Sequence, residues 1–277
     1  MIMDNNIPKR REVARYKRTI RRLTALVVVL SITCVVLTIA LISKGSKVDK
    51  NGPTSTETLS SNTASVSSIS AEEKALQTLA ADLDSWQLKL VNAKSPLPDG
   101  FSIETTKITA SYARDVGMSF DARAVSNLNA MCAAAEADGI NLLVISSFRT
   151  HSKQTSLYYN QVDKMRARYP NLSDEEIKKK ASTVSAFPGT SEHELGLAVD
   201  FNSVEESFEG TEQFRWLKAN AEKYGFVMRY AKEKENITGI IYEPWHYRYV
   251  GEKHAKKMNE LGYCLEEYVE YLKEYTK

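Results

Sequence analysis

The amino-acid sequence predicts an α+β domain over residues 71–277, with a small, mostly antiparallel sheet and flanking helices. Three observations lead to this fold class. Several short runs of β-branched and apolar residues have the length and composition of strands. Longer segments between them place apolar residues on one face of a helix, so helices and strands are interleaved along the chain. The polar composition of residues 44–70 separates this domain from the start of the chain.

Each predicted element follows from a local pattern. The predicted helices cover 71–86, 121–138, 152–168, 173–184, 211–224, 253–261 and 265–275. The predicted strands cover 88–92, 141–146, 196–201, 226–230, 239–242 and 243–250. The helix over 121–138 has a clear amphipathic pattern that ends at Gly139, and its apolar face carries Val125, Leu128, Met131, Cys132 and Ala135.

The first 70 residues differ in character from the domain. Residues 1–22 carry eight Lys or Arg against two Asp or Glu, and residues 23–43 are predominantly apolar and uncharged. The apolar run is long enough to cross a bilayer as a helix. Its basic flank predicts a cytoplasmic N-terminus and an exported C-terminal domain, while the Ser/Thr-rich segment 44–70 predicts a disordered linker. We therefore expect an uncleaved signal anchor, with a cleaved signal peptide as the alternative.

The distribution of charge argues against one class of partner. The whole chain has a formal net charge of +2, although its first 22 residues are strongly basic, so the remainder is mildly acidic. A mildly acidic domain is not expected to bind nucleic acid.

The predicted domain contains two cysteines, Cys132 and Cys264, far apart in sequence. They can form a single disulfide or remain two buried thiols, and the pattern leaves both alternatives open. Their spacing is not that of a zinc site.

Two short motifs contain residues with metal-binding chemistry. The motif Ser-Glu-His-Glu-Leu-Gly-Leu-Ala-Val-Asp offers His193 and Asp200, and the downstream motif Glu-Pro-Trp-His offers His246. Catalytic zinc typically has three protein ligands of these types and an open position for water. Glu243, which begins the second motif, is a candidate general base. The alternative for Glu243 is a carboxylate that orients His246.

These motifs also carry a family resemblance. Residues 187–201 and 239–251 resemble the signatures of the VanY-type zinc D-alanyl-D-alanine carboxypeptidases, which metal-dependent L,D-carboxypeptidases of bacterial cell walls share. The resemblance extends from about Trp86 to about Tyr268. It implies one Zn²⁺ per chain, with a ligand set of His193, Asp200 and His246.

The resemblance further implies an enzyme of the bacterial cell wall. Together with the anchor predicted from residues 23–43, this gives a membrane-anchored D,D-carboxypeptidase. It would hydrolyse the terminal D-alanine of peptidoglycan stem peptides with a metal-activated water, and Glu243 would be its base. A single N-terminal helix would hold it in the cytoplasmic membrane, with the catalytic domain extracytoplasmic. Three alternatives remain: an L,D-carboxypeptidase acting on tetrapeptide stems, an endopeptidase acting within a stem peptide, and a non-catalytic module that binds wall peptides.

Four further residues are candidates for contact with substrate. The block Ser-Ser-Phe-Arg-Thr-His-Ser-Lys-Gln is similar to the family's Ser-Gly-Tyr-Arg-Ser…Gln pattern. This similarity implies a catalytic and substrate-binding role for Arg149 and a substrate-binding role for Gln154. Ser191 and Tyr230 also match substrate-binding positions, although Gln154 can equally be a helix-surface residue and Tyr230 a core aromatic. The block departs from the family at Ser147, Phe148 and Thr150, and the Phe removes one hydroxyl group.

The remaining polar residues of these regions are predicted to play no ligand role. His151 is expected in solvent at the start of a helix, and His254, with lysines around it, is expected at the surface. Glu192 and Glu194 flank His193. They either support that imidazole or face water, and the sequence does not decide between the two.

Overall fold

The structure, a computed structural model, describes residues 71–276. The predicted basic segment 1–22, transmembrane anchor 23–43 and linker 44–70 lie outside these residues and stay predictions. Within 71–276, no helix combines the length and the apolar composition that crossing a bilayer requires.

The strands of the described region form two antiparallel sheets. A two-stranded sheet pairs β1 with β2, and a four-stranded sheet has the order β3-β4-β6-β5 with every pair antiparallel. The bounds are β1 Thr105–Lys107, β2 Ser119–Asp121, β3 Val144–Ser146, β4 Ala198–Phe201, β5 Phe226–Tyr230 and β6 Glu243–Tyr249. The longest strand, β6, has a strand paired on each side and is buried along its whole length. Side chains on either of its faces can therefore contribute to a buried site.

Helices surround the four-stranded sheet. In chain order they are α1 71–80, α2 Val125–Ala137, α3 His151–Arg168, α4 Asp174–Ser182, α5 Glu212–Asn220, α6 Glu235–Thr238, α7 Glu252–Leu261 and α8 Leu265–Lys273. Short 3-10 turns cover Ala110–Tyr112, Glu206–Gly210, Ala221–Tyr224 and Lys232–Lys234. These elements confirm the predicted α+β class with an antiparallel sheet and flanking helices.

The largest apolar core lies between the sheet, α2 and α5. The face of α2 that is buried is the predicted one, and it consists of Val125, Leu128, Met131, Cys132 and Ala135. A second cluster joins α1 to α7 and α8, and a third joins α3 to α4. Cys132 and Cys264 are both buried free thiols. Burial raises the pKa of Cys132 to about 12 and that of Cys264 to about 11.

Two predicted strands are absent, and each absence has a physical reason. Segment 88–92 is irregular because an arginine side chain, and not another strand, bonds to the backbone here. Arg248 Nη2 donates to the carbonyls of Gln87 and Lys89, both at 2.9 Å. Segment 239–242 follows α6 and is not paired as a strand, since the amide of Tyr242 donates to the Glu235 side chain at 2.8 Å. Conversely, β1 and β2 were not predicted from the sequence.

The prediction that His254 lies at the surface is wrong. His254 is fully buried, with relative exposure of 0%. It belongs to the inward face of α7 together with Ala255 and Met258. The lysines near it in sequence lie on other faces of the same helix. Charged neighbours in sequence therefore do not show whether a given helix position is buried.

Candidate active site

Sheet register places the first two candidate ligands next to each other. Asp200 on β4 is directly opposite His246 on β6, and directly opposed residues of an antiparallel pair have side chains on the same face. As a result, Asp200 Oδ1 lies 3.1 Å from His246 Nδ1. Both residues are buried, with relative exposures of 3% and 4%.

The third candidate ligand, His193, comes from the tight turn that precedes β4. The turn ends at Gly196, whose φ is +78° and where a β-carbon would overlap the side chain of Ile103. Glycine is favoured here for its backbone conformation, since the overlap is only with the terminal methyl group of Ile103, which can move aside. His193 Nδ1 lies 2.8 Å from the carbonyl oxygen of Ser147. Since a carbonyl only accepts, Nδ1 carries the hydrogen, and the Nε2 lone pair faces Asp200 Oδ2 at 3.3 Å.

The geometry of these three residues fits a metal ion. One atom from each of His193, Asp200 and His246 lies within 4.8 Å of the other two. Asp200 Oδ1 is buried and has no hydrogen-bond partner among the described residues. When both imidazoles are neutral, two nitrogen lone pairs and a carboxylate oxygen converge here, and a bound cation would pair with all three. Two nitrogens and one oxygen also form a donor set that suits catalytic zinc.

The protonation of the two imidazoles differs. Burial, with Arg149 nearby, lowers the pKa of His193 to about 4, so it is the neutral imidazole that a metal needs. Burial also opposes a charge on His246, but the carboxylates of Asp200 and Glu192 outweigh it and raise its pKa to about 9. In the metal-free protein His246 therefore holds a proton that a bound cation would displace.

The candidate base, Glu243, reaches the ligand cluster because of an irregularity in β6. Residues three apart on a regular strand face opposite sides of the sheet. Here the register shifts between Met228 and Tyr230, so that Tyr230 pairs with Glu243. This bulge contains Pro244, which has no amide hydrogen to donate. Glu243 Oε2 is thereby brought to 3.5 Å from His246 Nδ1.

Glu243 is in an environment that favours its protonated form. Its relative exposure is 8%. Burial raises its pKa to about 8, with Asp200 acting in the same direction and His246 opposing. A carboxylate with a pKa near the working pH both accepts and returns protons efficiently. The position and chemistry of Glu243 suit the predicted role of general base.

Arg149 follows β3 and reaches the same cluster. Its Nη2 donates to Asp200 Oδ2 at 3.1 Å and to Ser146 Oγ at 2.7 Å. Its Nη1 donates to Gln154 Oε1 at 3.2 Å. A guanidinium has five N–H groups, and with Nε also bonded to Ser146 one hydrogen of Nη1 remains for a ligand. Arg149 lines a cleft of about 270 Å³ that also exposes the three candidate metal ligands.

The other predicted substrate residues divide into two groups. Ser191 and Tyr230 line the cleft, and the Tyr230 ring centroid lies 4.7 Å from that of His246. Gln154 does not line it: the side chain is fully buried, with its carbonyl on Arg149 and its amide donating to Ala186 O at 2.7 Å. Gln154 is thus placed to hold Arg149. An apolar wall completes the cleft, formed by Val184, Val204, Ile240, Ile241 and Trp245.

The two glutamates that flank His193 face different partners. Glu192 is buried at 1% exposure and its Oε2 lies 3.6 Å from His246 Nε2. Glu194 Oε1 lies 2.9 Å from Nδ1 of His151, whose side chain is 71% exposed as predicted. The sequence could not assign Glu192, because the imidazole it approaches comes from a different motif.

The family described as VanY, D-alanyl-D-alanine carboxypeptidase, matches residues 117–252. A D-alanyl-D-alanine carboxypeptidase of Enterococcus faecalis is 39% identical over 200 residues, which cover 72% of each chain. The chain belongs to the VanY family of carboxypeptidases.

Two solved structures extend the similarity to three dimensions. A vancomycin-resistance D,D-pentapeptidase VanY in complex with Zn(II) is 39% identical, with a TM-score of 0.59 over 67% of this chain and 99% of that one. The LD-carboxypeptidase LdcB is 34% identical, with a TM-score of 0.57 over 65% of this chain and 84% of that one. This chain is therefore similar to solved enzymes named for both stereochemical specificities.

Proposed function

We propose that this protein is a zinc-dependent D,D-carboxypeptidase that removes the terminal D-alanine from peptidoglycan stem peptides. The observation that carries the proposal is the convergence of His193, Asp200 and His246, with Glu243 Oε2 only 3.5 Å from one ligand atom. A similar VanY enzyme is known in complex with Zn(II), which supports the choice of metal.

Each group in the cleft would have a separate role in the hydrolysis. Bound zinc would lower the pKa of water and polarise the scissile carbonyl. Glu243 takes a proton from the attacking water and returns it to the departing amine. Arg149, held by Gln154 and Ser146, directs its remaining N–H into the cleft and binds a carboxylate or oxyanion of the substrate.

The remaining cleft residues would position the stem peptide. Ser191 and Tyr230 offer hydroxyl groups beside the ligand cluster. Burial raises the pKa of Tyr230 well above its ordinary value, so its hydroxyl stays a hydrogen-bond donor. The apolar wall provides a surface for the alanine methyl groups. The D,D-specificity is supported by the curated relative of Enterococcus faecalis, and the L,D alternative by the similarity to LdcB.

We also propose that residues 23–43 anchor the enzyme in the cytoplasmic membrane, with the catalytic domain extracytoplasmic. The proposal rests on the charge-free apolar run and its basic flank. It would place the cleft on the side of the membrane where stem peptides are found. Protease added outside intact cells should degrade the domain and spare an epitope tag fused before residue 1. Loss of that tag as well would contradict the orientation.

Product analysis by mass spectrometry tests the activity. The full-length chain, purified in detergent, is given pentapeptide and tetrapeptide stems in parallel. We expect loss of one alanine from the pentapeptide, abolished by a chelator and restored by Zn²⁺. Loss from the tetrapeptide alone would assign the L,D-specificity instead. No loss from either stem, in protein shown to contain zinc, would contradict the carboxypeptidase proposal.

A further inference from the structure

Glu192 lies behind His246, on the side away from the other ligand atoms. Its Oε2 is 3.6 Å from His246 Nε2. Both atoms are buried, and neither has a hydrogen-bond partner among residues 71–276. Two complementary groups that are both unsatisfied, and that face each other at slightly more than bonding distance, need only a small movement to pair.

The two nitrogens of His246 have different surroundings. Nδ1 faces Asp200 Oδ1 at 3.1 Å, within the ligand cluster, while Nε2 faces Glu192. A neutral imidazole that binds metal through one nitrogen carries its hydrogen on the other. For His246 that hydrogen belongs on Nε2, and the group opposite it is a carboxylate, which only accepts.

Two arginines hold Glu192 in this position. Its Oε1 accepts from Arg229 Nε at 2.8 Å and from Arg248 Nη1 at 2.7 Å. Both guanidinium groups are buried, and Arg248 lies two residues after His246 on β6, on the same face of the sheet. With Oε1 fully engaged, Oε2 is directed to His246.

The two arginines are in turn held by hydrogen bonds to groups outside the ligand cluster. Arg229 forms a bidentate pair with Glu266 on α8, with both N–O distances at 2.7 Å. Arg248 donates to the carbonyls of Gln87 and Lys89 near the start of the domain. Two arginines and two glutamates balance in charge, which allows this cluster to be buried.

We propose that Glu192 is a positioning residue for the metal site: it accepts the Nε2–H of His246 and so directs Nδ1 toward the ion. The inference rests on the proposed function, since it requires a metal at His193, Asp200 and His246. It assigns the two-arginine clamp a purpose beyond folding, because the clamp sets where the Glu192 carboxylate points. Carboxylates that orient a ligating histidine typically change metal affinity by about 10- to 100-fold when they are removed.

The competing explanation is that Glu192 merely neutralises Arg229 and Arg248. A matched pair of variants separates the two. Glu192→Gln and Glu266→Gln each remove one negative charge from the same cluster, but only Glu192 contacts His246. In Glu192→Gln the arginines retain the side-chain oxygen, so the amide NH₂ faces His246 as a donor. His246 must then accept at Nε2 and carry its hydrogen on Nδ1, which blocks metal binding through that atom.

The experiment uses the full-length protein in detergent, loaded with Zn²⁺ or Co²⁺. Zinc affinity is measured by competition with a chromophoric chelator, ligand geometry by the visible spectrum of the Co²⁺ form, and unfolding of the metal-free protein by heat. We expect Glu192→Gln to weaken zinc affinity by about 10- to 100-fold, to alter the Co²⁺ spectrum, and to lower kcat with little change in KM. Glu266→Gln should keep wild-type affinity and spectrum, even where it unfolds at a lower temperature.

The outcomes are distinguishable. Wild-type affinity and spectrum in Glu192→Gln would overturn the inference and leave the proposed function intact. A wild-type protein that binds no zinc would overturn both. Should Glu192→Gln fail to fold, ¹⁵N NMR of the zinc-loaded wild type decides, with His246 expected to be protonated on Nε2 and metal-bound through Nδ1. A hydrogen on Nδ1 of His246 would overturn the inference.

Discussion

His254 and His246 are both buried, but they differ in whether their ring nitrogens have hydrogen-bond partners. His254 Nδ1 is 2.9 Å from the hydroxyl of Tyr268, and its Nε2 is 3.1 Å from Asp82 Oδ2, so both ring nitrogens are satisfied by protein. His246 has an Nε2 without a partner among the described residues and an Nδ1 that faces carboxylate oxygens.

The contrast shows what distinguishes a structural histidine from a ligand. Burial alone does not, since both residues are at most 4% exposed. A buried polar group without a partner is destabilising unless another component satisfies it. The cluster around His254 joins α7, α8 and the turn that follows α1, and both of its ring nitrogens have partners. The cluster around His246 leaves His246 Nε2 and Asp200 Oδ1 without hydrogen-bond partners within residues 71–276.

The largest expected effect comes from removing His246, whose Nε2 has no partner among residues 71–276. His246→Ala should lose zinc binding and lower activity by at least about 10⁴-fold, because the metal supplies most of the acceleration. Zinc content by mass spectrometry and the rate of D-alanine release check this. His151→Ala, which changes an exposed histidine of the same domain, is the control and should keep both. Retained zinc in His246→Ala would remove the basis of the comparison.

The next effect isolates the base from the metal. Glu243→Gln should lower kcat by about 10³-fold, within the usual range for general acid–base groups, while zinc content stays at the wild-type level. Glu194→Gln is the matched control, because this buried glutamate of the first motif contacts His151 and not the ligand cluster. If Glu243→Gln turned over normally, the assignment of the base would be wrong.

Removing His254, whose two ring nitrogens both have protein partners, should affect stability and not catalysis. His254→Ala leaves a cavity and a Tyr268 hydroxyl without its partner, although Asp82 keeps its ion pair with Lys253. It should lower the free energy of unfolding by about 3 kcal/mol. Below its unfolding temperature the variant should retain wild-type kcat/KM and zinc content. Denaturant titration measures the first and activity assays the second. Lys256→Ala, an exposed change on the same helix, should leave stability within about 0.5 kcal/mol.

The smallest effect is a pH dependence of stability that arises from His254. Burial, opposed by the Asp82 carboxylate, lowers the pKa of His254 below its ordinary value of 6.5. The unfolded chain therefore binds a proton that the folded chain does not, so this contribution to stability is lost as the pH falls below 6.5. Unfolding of wild type and His254→Gln should be compared from pH 8 to pH 5. A stability difference independent of pH would show that His254 does not titrate on unfolding.

Much of the candidate site could be predicted from sequence because its residues belong to short motifs. His193 and Asp200 are separated by one tight turn and the start of one strand, so local chain geometry already brings them together. The amphipathic pattern of α2 likewise predicted its buried face, since one periodicity decides which residues point inward.

Other features could not be predicted because they depend on partners distant in sequence. The backbone of 88–92 is not a strand because Arg248, far along the chain, occupies the carbonyls beside it. Glu243 shares a face with His246 only because of the bulge opposite β5. The burial of His254 depends on contacts of α7 with Tyr268 of α8 and with Asp82 in the turn after α1.

By itself, the sequence determined the α+β class, the family and the residue types of a three-ligand site, because composition, periodicity and motif spacing are local properties of the chain. Only the tertiary structure decided that Glu192 lies behind His246 and that Gln154 holds Arg149. It also decided that His246, unlike His254, keeps a ring nitrogen without a partner among residues 71–276. Hydrogen-bond completeness is a property of the whole fold, since each donor must find its acceptor across elements that the sequence separates.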